Sequence, residues 1–217
     1  MLTNEIFFII FLAYLTGSIP SAVWIGKLFY KIDVREYGSG NAGATNTFRV
    51  LGKAAGIPVL LLDITKGWLS VQYVYLIGNV EFLIAENPDL FFENQLVFGI
   101  AAVVGHLFPV FTGFRGGKGI ATLLGLLIGL NYVAAFCSLF VFIISFSIFK
   151  YVSLASILSS LFYPFFVMFF LVSTNESQNL FAIFVPILSL ITHQKNIERL
   201  LRGEETKVKF GKKSNYE

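Results

Sequence analysis

The sequence predicts an all-α polytopic membrane protein with seven transmembrane helices, the N-terminus outside and the C-terminus cytoplasmic. Three observations carry this expectation. Of 217 residues, 56% are hydrophobic and only 13% charged, against about 25% charged in ordinary soluble domains. The apolar residues gather into stretches long enough to cross a bilayer, and the basic residues collect between alternate stretches. A soluble fold of this length cannot bury so much apolar surface, and a disordered chain would not contain it. Secreted disulfide scaffolds, nucleic-acid binders and typical cytosolic enzymes are excluded on this ground, and the single Cys137 allows no intramolecular disulfide.

A helix crossing roughly 30 Å of hydrocarbon needs about 20 mostly apolar residues. Five stretches qualify: 5–28, 55–79, 95–113, 151–172 and 180–194, the last running on into the interface. No basic residue precedes Lys27, so the charged n-region of a secretory signal is missing and the first stretch is expected to remain in the mature protein. Residues 119–149 are too long for one comfortable crossing, and Asn131, following Gly129, marks a tight turn between helices at about 119–130 and 133–149. Charge placement supports seven spans, because Lys and Arg collect in cytoplasmic loops. Lys31, Arg35, Arg49 and Lys53 fall in the first inner loop, Arg115 and Lys118 in the second, Lys150 in the third, and seven more from Lys195 to Lys213 in the tail. Lys27 and Lys66 sit near the inner ends of spans one and two, which places all 16 basic residues. The outer segments hold Glu5, Glu81, Glu86, Asp89, Glu93 and Glu176 with no Lys or Arg. Reading 119–149 as one crossing would export the basic tail. The chain is expected to form a single integral-membrane domain over 1–217, with a basic cytoplasmic tail from about 203.

Polarity is then concentrated on one face, in three segments. The first, GSGNAGATNTFRVLGK (38–53), alternates Gly38, Gly40 and Gly43 with Ser39, Asn41, Thr45 and Asn46. Glycines let successive N–H groups point into a concavity suited to an anion, and Ser, Asn and Thr add donors. Arg49, one helical turn past Thr45, can clamp phosphate bidentately. An interfacial loop of turn residues is the competing reading. The second, GHLFPVFTGFRGGKGIAT (105–122), places Gly116, Gly117, Lys118 and Gly119 just before a span, where phosphate gains from unpaired N–H groups and the helix dipole. It is not a Walker loop, since Thr112 stands where that pattern needs Gly and Gly119 where it needs Ser or Thr. The third, HQKNIERLLRGEETK (193–207), spaces His193, Asn196 and Arg199 along one face of the last helix's inner end, with Gly203 as a helix stop. Snorkelling of a basic tail accounts for Arg202, Lys207, Lys209, Lys212 and Lys213.

Smaller signals remain. KYVSLAS (150–156) brings Ser153 and Ser156 to i and i+3. Asp63 and Lys66 are i, i+3 neighbours inside an apolar helix, where a charge costs roughly 2.5–3.5 kcal/mol and needs a partner or a task. A structural ion pair and a substrate contact both fit, and His106 is equally two-sided. No metal site is expected, with two histidines 87 residues apart, one cysteine and no paired intramembrane carboxylates. Nor does any spacing propose a Ser-His-Asp arrangement. On residues alone, the chain is a polytopic membrane protein with a cytoplasmic phosphate-binding site.

GSGNAGATN, GHLFPVFTGFRGGKGIAT and HQKNIERLLRGEE, in that order, resemble the signature segments of the bacterial acyl-phosphate:glycerol-3-phosphate acyltransferases of the inner membrane. DITKG (63–67) and KYVSLAS extend the resemblance over essentially the whole chain. It implies a seven-span fold and transfer of a fatty acyl group from acyl phosphate to the sn-1 hydroxyl of glycerol 3-phosphate, giving lysophosphatidic acid and phosphate. It implies no cofactor, no metal, no acyl-CoA and no acyl carrier protein, and an active site containing Ser39, Arg49, Lys118, His193 and Asn196. Gly40, Asn41, Thr45, Asn46, Lys66, Gly116, Gly117, Ser153 and Ser156 are the expected substrate contacts. A phosphorylated-solute transporter would need mid-membrane polar residues or an internal repeat; no repeat is found, and the outer segments lack any matching anion-attracting charge. A metal-dependent lipid phosphotransferase would need an acidic motif that is missing, and a non-catalytic scaffold leaves three polar segments on one face unexplained.

Overall fold

The structure, a computed structural model, describes residues 4–207. The tail lysines Lys209, Lys212 and Lys213 lie outside the described residues. The described residues form two compact units that meet in sequence at Leu130 and Asn131.

In the first unit, α1 (Asn4–Ser18) and α2 (Ser21–Tyr30) occupy the first apolar stretch. The expected continuous helix over 5–28 is instead bent by 42° at Ile19–Pro20. Pro20 has no N–H to give the helix, and its ring disfavours a helical conformation at Ile19. Then follow α3 (Ala44–Leu51), α4 (Lys53–Gln72, extended by a 3-10 turn to Leu76), α5 (Val80–Glu86), α6 (Pro88–Leu107) and α7 (Ile120–Leu130). The helix α5 lies in a segment expected to be an outer loop. The third stretch starts earlier than expected because Pro88 presets its first turn and Asp89 complements the helix dipole there.

Glycines set the helix crossings. A Cβ on Gly17 would overlap the backbone of Ala102, and one on Gly105 the backbone of Tyr14, so α1 and α6 touch main chain to main chain. The same reciprocity joins α4 and α7, through Gly67 against Thr122 and Gly125 against Ile64. In lipid, where apolar side chains gain little by leaving hydrocarbon, such close approach supplies the dispersion contact that holds helices together. One core cluster gathers Ile9, Ala13, Val74, Ile77, Leu83 and Phe98; a second gathers Ala22, Val34, Val50, Leu51, Ala55 and Val59 beneath the first polar segment.

The second unit begins with the helix break expected at Asn131. Its Oδ1 accepts from the Ala134 N–H at 3.1 Å, so the residue is the N-cap of α8 (Tyr132–Phe149). Next come α9 (Val152–Phe165), which runs into a π turn to Phe170 near Pro164, and α10 (Glu176–Thr192), capped by Asn175. Finally α11 (Gln194–Leu201) leaves α10 at 65°. The last helix was expected to carry His193, Asn196 and Arg199 on one continuous face. It breaks at His193, whose N–H is shared between the carbonyls of Ser189 and Leu190, so only Asn196 and Arg199 ride on α11.

Among the described residues, four helical stretches are long and apolar enough to cross a membrane: Lys53–Leu76, Pro88–Thr112, Tyr132–Phe149 and Val152–Phe170. They number six if the bent pairs α1–α2 and α10–α11 each make one span, and Ile120–Leu130 is a shorter apolar helix. The protein is an all-α polytopic membrane protein. Large apolar side chains such as Phe8, Phe29, Phe140 and Phe169 are exposed on its helices, as contact with lipid requires.

Candidate active site

The first polar segment is assembled by side-chain staples. Asp33 accepts from the Arg35 N–H at 3.0 Å and pairs with the Arg35 guanidinium at 2.8 Å, while Lys27 approaches at 3.2 Å. The guanidinium hydrogen bond holds the Asp33 carboxyl well below the usual carboxylate range, against the opposing effect of burial. Arg35 also donates from Nη1 to the Thr112 carbonyl at 3.2 Å, tying the turn that leads into the first polar segment to the second. Gly38 (φ +62°) and Gly40 (φ +71°) turn the chain through the left-handed region that glycine enters without strain. Behind them, buried Asn46 donates from Nδ2 to the carbonyls of Val34 (2.7 Å) and Tyr37 (3.1 Å). Its Oδ1 accepts from the Ser39 N–H at 2.8 Å and the Ser39 hydroxyl at 3.1 Å.

This differs from the expectation that Asn46 meets substrate. Both of its amide hydrogens are committed to its own loop, so it shapes the segment. Ser39, exposed beside it, shares that bond. Thr45 and Arg49 are exposed on α3, Asn41 is half-buried, and Gly40 lies at the open turn.

The second polar segment folds against the end of α6. The Gly117 N–H donates to the His106 carbonyl at 3.2 Å, Gly119 turns at φ +77°, and α7 starts directly after it. Lys118 is thus the last residue but one before a helix N-terminus, the placement the sequence implied.

Under this loop lies a buried charge cluster. Asp63 Oδ1 pairs with Lys66 Nζ at 2.9 Å, accepts the Ser21 hydroxyl at 3.0 Å and faces His106 Nδ1 at 3.7 Å. Lys66 Nζ donates to the Ile19 carbonyl at 2.9 Å, an acceptor presented at the α1–α2 break. His106 Nδ1 hydrogen-bonds Thr122 Oγ1 at 3.0 Å. A cavity of about 10 Å³, room for about one water-sized group, is lined by Ala42, Asp63, Lys66, His106, Gly116 and Gly117 among others. Of the two readings left open for Asp63 and Lys66, the structure shows the buried ion pair; Lys66 also lines the small cavity below the glycine loop.

In the second unit, His193 is buried, with Nδ1 2.8 Å from the Ser189 carbonyl. A carbonyl only accepts, so Nδ1 carries a proton in this bond. Gly203 (φ +72°) reverses the chain after α11, and Glu205 returns to accept from three side chains. They are Ser153 Oγ (2.8 Å), Asn196 Nδ2 (2.7 Å) and Arg199 Nε (2.8 Å). Burial pushes the Glu205 carboxyl up, but these three donors outweigh it and leave the group below its ordinary value. Ser153 therefore contacts Glu205, and the Ser156 hydroxyl bonds back to the Val152 carbonyl at 2.9 Å. Lys207 does not simply reach outward: its Nζ lies 5.3 Å from the centre of the Tyr151 ring.

Sequence reasoning missed Glu205, Ser21 and Thr122. A signal existed only for Glu205, an acid two residues past a helix-stopping glycine and within reach of Arg199.

A family model described as glycerol-3-phosphate acyltransferase matches residues 7–203. The chain belongs to that family. It is 44% identical over 214 residues to the glycerol-3-phosphate acyltransferase of Enterococcus faecalis, covering 95% of this chain and 94% of the relative. The Staphylococcus aureus (strain JH9) enzyme of that name is 42% identical over 200 residues, covering 92% and 96%. Among solved structures, PlsY (YgiH), an integral membrane glycerol 3-phosphate acyltransferase, superposes in its glycerol 3-phosphate form with a TM-score of 0.82 at 35% identity, over 95% of this chain and 96% of that one. Its lysophosphatidic acid form gives 0.79 at 34%, with the same coverage. As a glycerol-3-phosphate acyltransferase family member, the protein is a multi-pass membrane enzyme of acyl transfer.

Proposed function

We propose that the protein acylates the sn-1 hydroxyl of glycerol 3-phosphate with acyl phosphate as donor, releasing lysophosphatidic acid and phosphate, the first acylation of phospholipid synthesis. The family match over nearly the whole chain carries this reading, and the chemistry of the polar segments agrees with it. Both substrates bear phosphate, and the chain has two glycine-rich segments, each next to a cation, Arg49 or Lys118.

In the reaction, the acceptor hydroxyl attacks the acyl carbonyl, the new ester C–O bond forms, and the bond to the phosphate oxygen breaks. Acyl phosphate is a mixed anhydride with phosphate as leaving group, so no strong general acid is needed, and positioning with electrostatic stabilisation supplies most of the rate. Arg49 holds the phosphate of glycerol 3-phosphate, and Lys118 bridges both phosphates. Ser39, Gly40, Asn41 and Thr45 hold the acyl phosphate head, with Gly116 offering its backbone N–H, while Gly117, whose N–H goes to the His106 carbonyl, lets the loop pass close to that residue. Lys66 supports the same region from below. His193 and Asn196 orient the acceptor, and Ser153 shares the Glu205 carboxylate with Asn196. A phosphate oxygen of the substrate takes the hydroxyl proton. Neither acyl-CoA nor acyl carrier protein takes part.

We assign seven spans to the chain, with α7 as the short fourth and the bent pairs as the first and last. The N-terminus is then outside, and the polar segments face the cytoplasm across the inner membrane. Arg35, Arg49, Arg115, Lys118 and Lys150 all fall on that face under this assignment.

The test uses purified protein with palmitoyl phosphate and glycerol 3-phosphate. Lysophosphatidic acid and phosphate are expected in equal amounts, with no product when palmitoyl-CoA replaces palmitoyl phosphate. Product from palmitoyl-CoA alone would overturn the donor assignment.

A further inference from the structure

The His106 ring lies where a side chain on residue 117 would go. A Cβ on Gly117 would overlap His106 Nε2 and come to 3.1 Å from the Ala42 carbonyl oxygen. A Cβ on Gly116 would overlap the His106 carbonyl oxygen, which also accepts the Gly117 N–H at 3.2 Å. Neither glycine has a left-handed φ. Space, and not backbone conformation, therefore demands glycine at 116 and 117, and His106 occupies much of that space. The ring in turn is oriented by Thr122 Oγ1 at 3.0 Å and faces the Asp63 carboxylate at 3.7 Å, all three side chains being buried. One residue thus grips the loop twice, with its carbonyl and with its ring, and the next residue along is Lys118.

We propose that His106 is a positioning residue for the acyl transfer: its ring, oriented by Thr122 and Asp63, fills the side-chain space of Gly117 and so sets the backbone that presents Lys118 to substrate phosphate. The proposal rests on the reading of the Gly116–Lys118 loop as a phosphate contact. His106 touches no reacting atom in this scheme. It acts through the loop, so its loss shows first in KM for glycerol 3-phosphate and less in kcat.

A pair of substitutions isolates the ring. Asparagine at 106 places its amide near the position of Nδ1, keeping the bond to Thr122, and vacates the position of Nε2; glutamine reaches back into that position. With the wild-type ring present, Gly117→Ala should raise KM for glycerol 3-phosphate by about tenfold or more, equivalent to about 1.4 kcal/mol. In His106→Asn/Gly117→Ala the overlap is gone, and KM should fall to within about threefold of His106→Asn alone. His106→Gln/Gly117→Ala should stay as impaired as Gly117→Ala. Contacting residues couple in this way, whereas independent ones multiply. The proposal is overturned by effects that simply multiply, by equal rescue from asparagine and glutamine, or by unchanged KM in Gly117→Ala. Should Gly117→Ala aggregate, the same cycle is read by size-exclusion elution and thermal unfolding: His106→Asn must restore a folded protein and His106→Gln must not. Wild-type protein runs alongside with palmitoyl phosphate. If the wild type makes no lysophosphatidic acid, the functional reading fails; if it does and the cycle multiplies, only the role of His106 fails.

Discussion

Replacing Asp63 by asparagine removes one charge from a pair that sits almost wholly out of solvent, at 2% and 6% side-chain exposure, with N and O 2.9 Å apart. The asparagine oxygen can still accept the Ser21 hydroxyl, so the loss is chiefly electrostatic. At that separation the attraction is about 6 kcal/mol with an effective dielectric constant of about 20. Much of it offsets the cost of dehydrating both ions, and breaking such a pair by removing one partner costs about 3–5 kcal/mol because the other charge is left uncompensated. With about 2–4 °C lost per kcal/mol for a chain of this size, Asp63→Asn should lower Tm by about 10 °C. Lys66→Met should lower it comparably, by stranding the carboxylate. The double variant Asp63→Asn/Lys66→Met strands neither charge and should be more stable than either single variant. Thermal unfolding in detergent, followed by the fluorescence of Trp24 and Trp68, reads all four proteins. A single variant within about 2 °C of wild type, or a double variant losing the sum of the two, would refute the reasoning that these charges hold each other in place.

The remaining predictions concern the chemistry and the second unit. Lys118→Ala should nearly abolish turnover in the palmitoyl phosphate assay, and near wild-type activity would sink the phosphate-clamp assignment. His193→Gln should lower kcat while leaving the shape of the pH–rate profile as in wild type, because the proton goes to substrate; disappearance of an acid limb near pH ~6.5 would make the histidine the base. Because the folded-state pKa of Glu205 is depressed, its contribution to stability is present above the ordinary Glu value and is lost as pH falls through the lower folded value. Wild-type Tm should therefore drop on acidification below pH ~4, and Glu205→Gln should be less stable at neutral pH with a shallower acid-side slope. An unchanged slope would remove the three-donor cradle as the cause.

The features that could be read from the chain were local ones. Asn131 announced a break because its short side chain caps a helix start, and the structure places the cap there. Gly38 and Gly40 announced a turn that their positive φ values confirm. Two breaks went unread: Pro20 was passed over inside a stretch read as one span, and the polar residues from His193 on were read as the continuing inner end of the last helix, whereas the hydrogen bonding changes at both. Asn46 was read as a donor to substrate on the strength of its neighbours. Its amide is instead saturated by Val34, Tyr37 and Ser39, partners that only the folded loop brings within reach. Glu205 escaped notice because its partners Ser153, Asn196 and Arg199 come from α9 and α11.

By itself the sequence determined the solvent of this protein, its helical class and the segments in which polar chemistry is concentrated. Each of these depends on the transfer free energy and backbone preference of residues close together in the chain, and such terms accumulate along it. The tertiary structure decided which polar groups are committed to the fold. Ser21 finds Asp63 across 42 positions and Arg35 finds Thr112 across 77, through distances that no spacing rule encodes. A buried donor must be paired wherever the fold brings an acceptor. Whether a serine, asparagine or lysine is left to meet a phosphate is therefore settled by packing, one helix against the next.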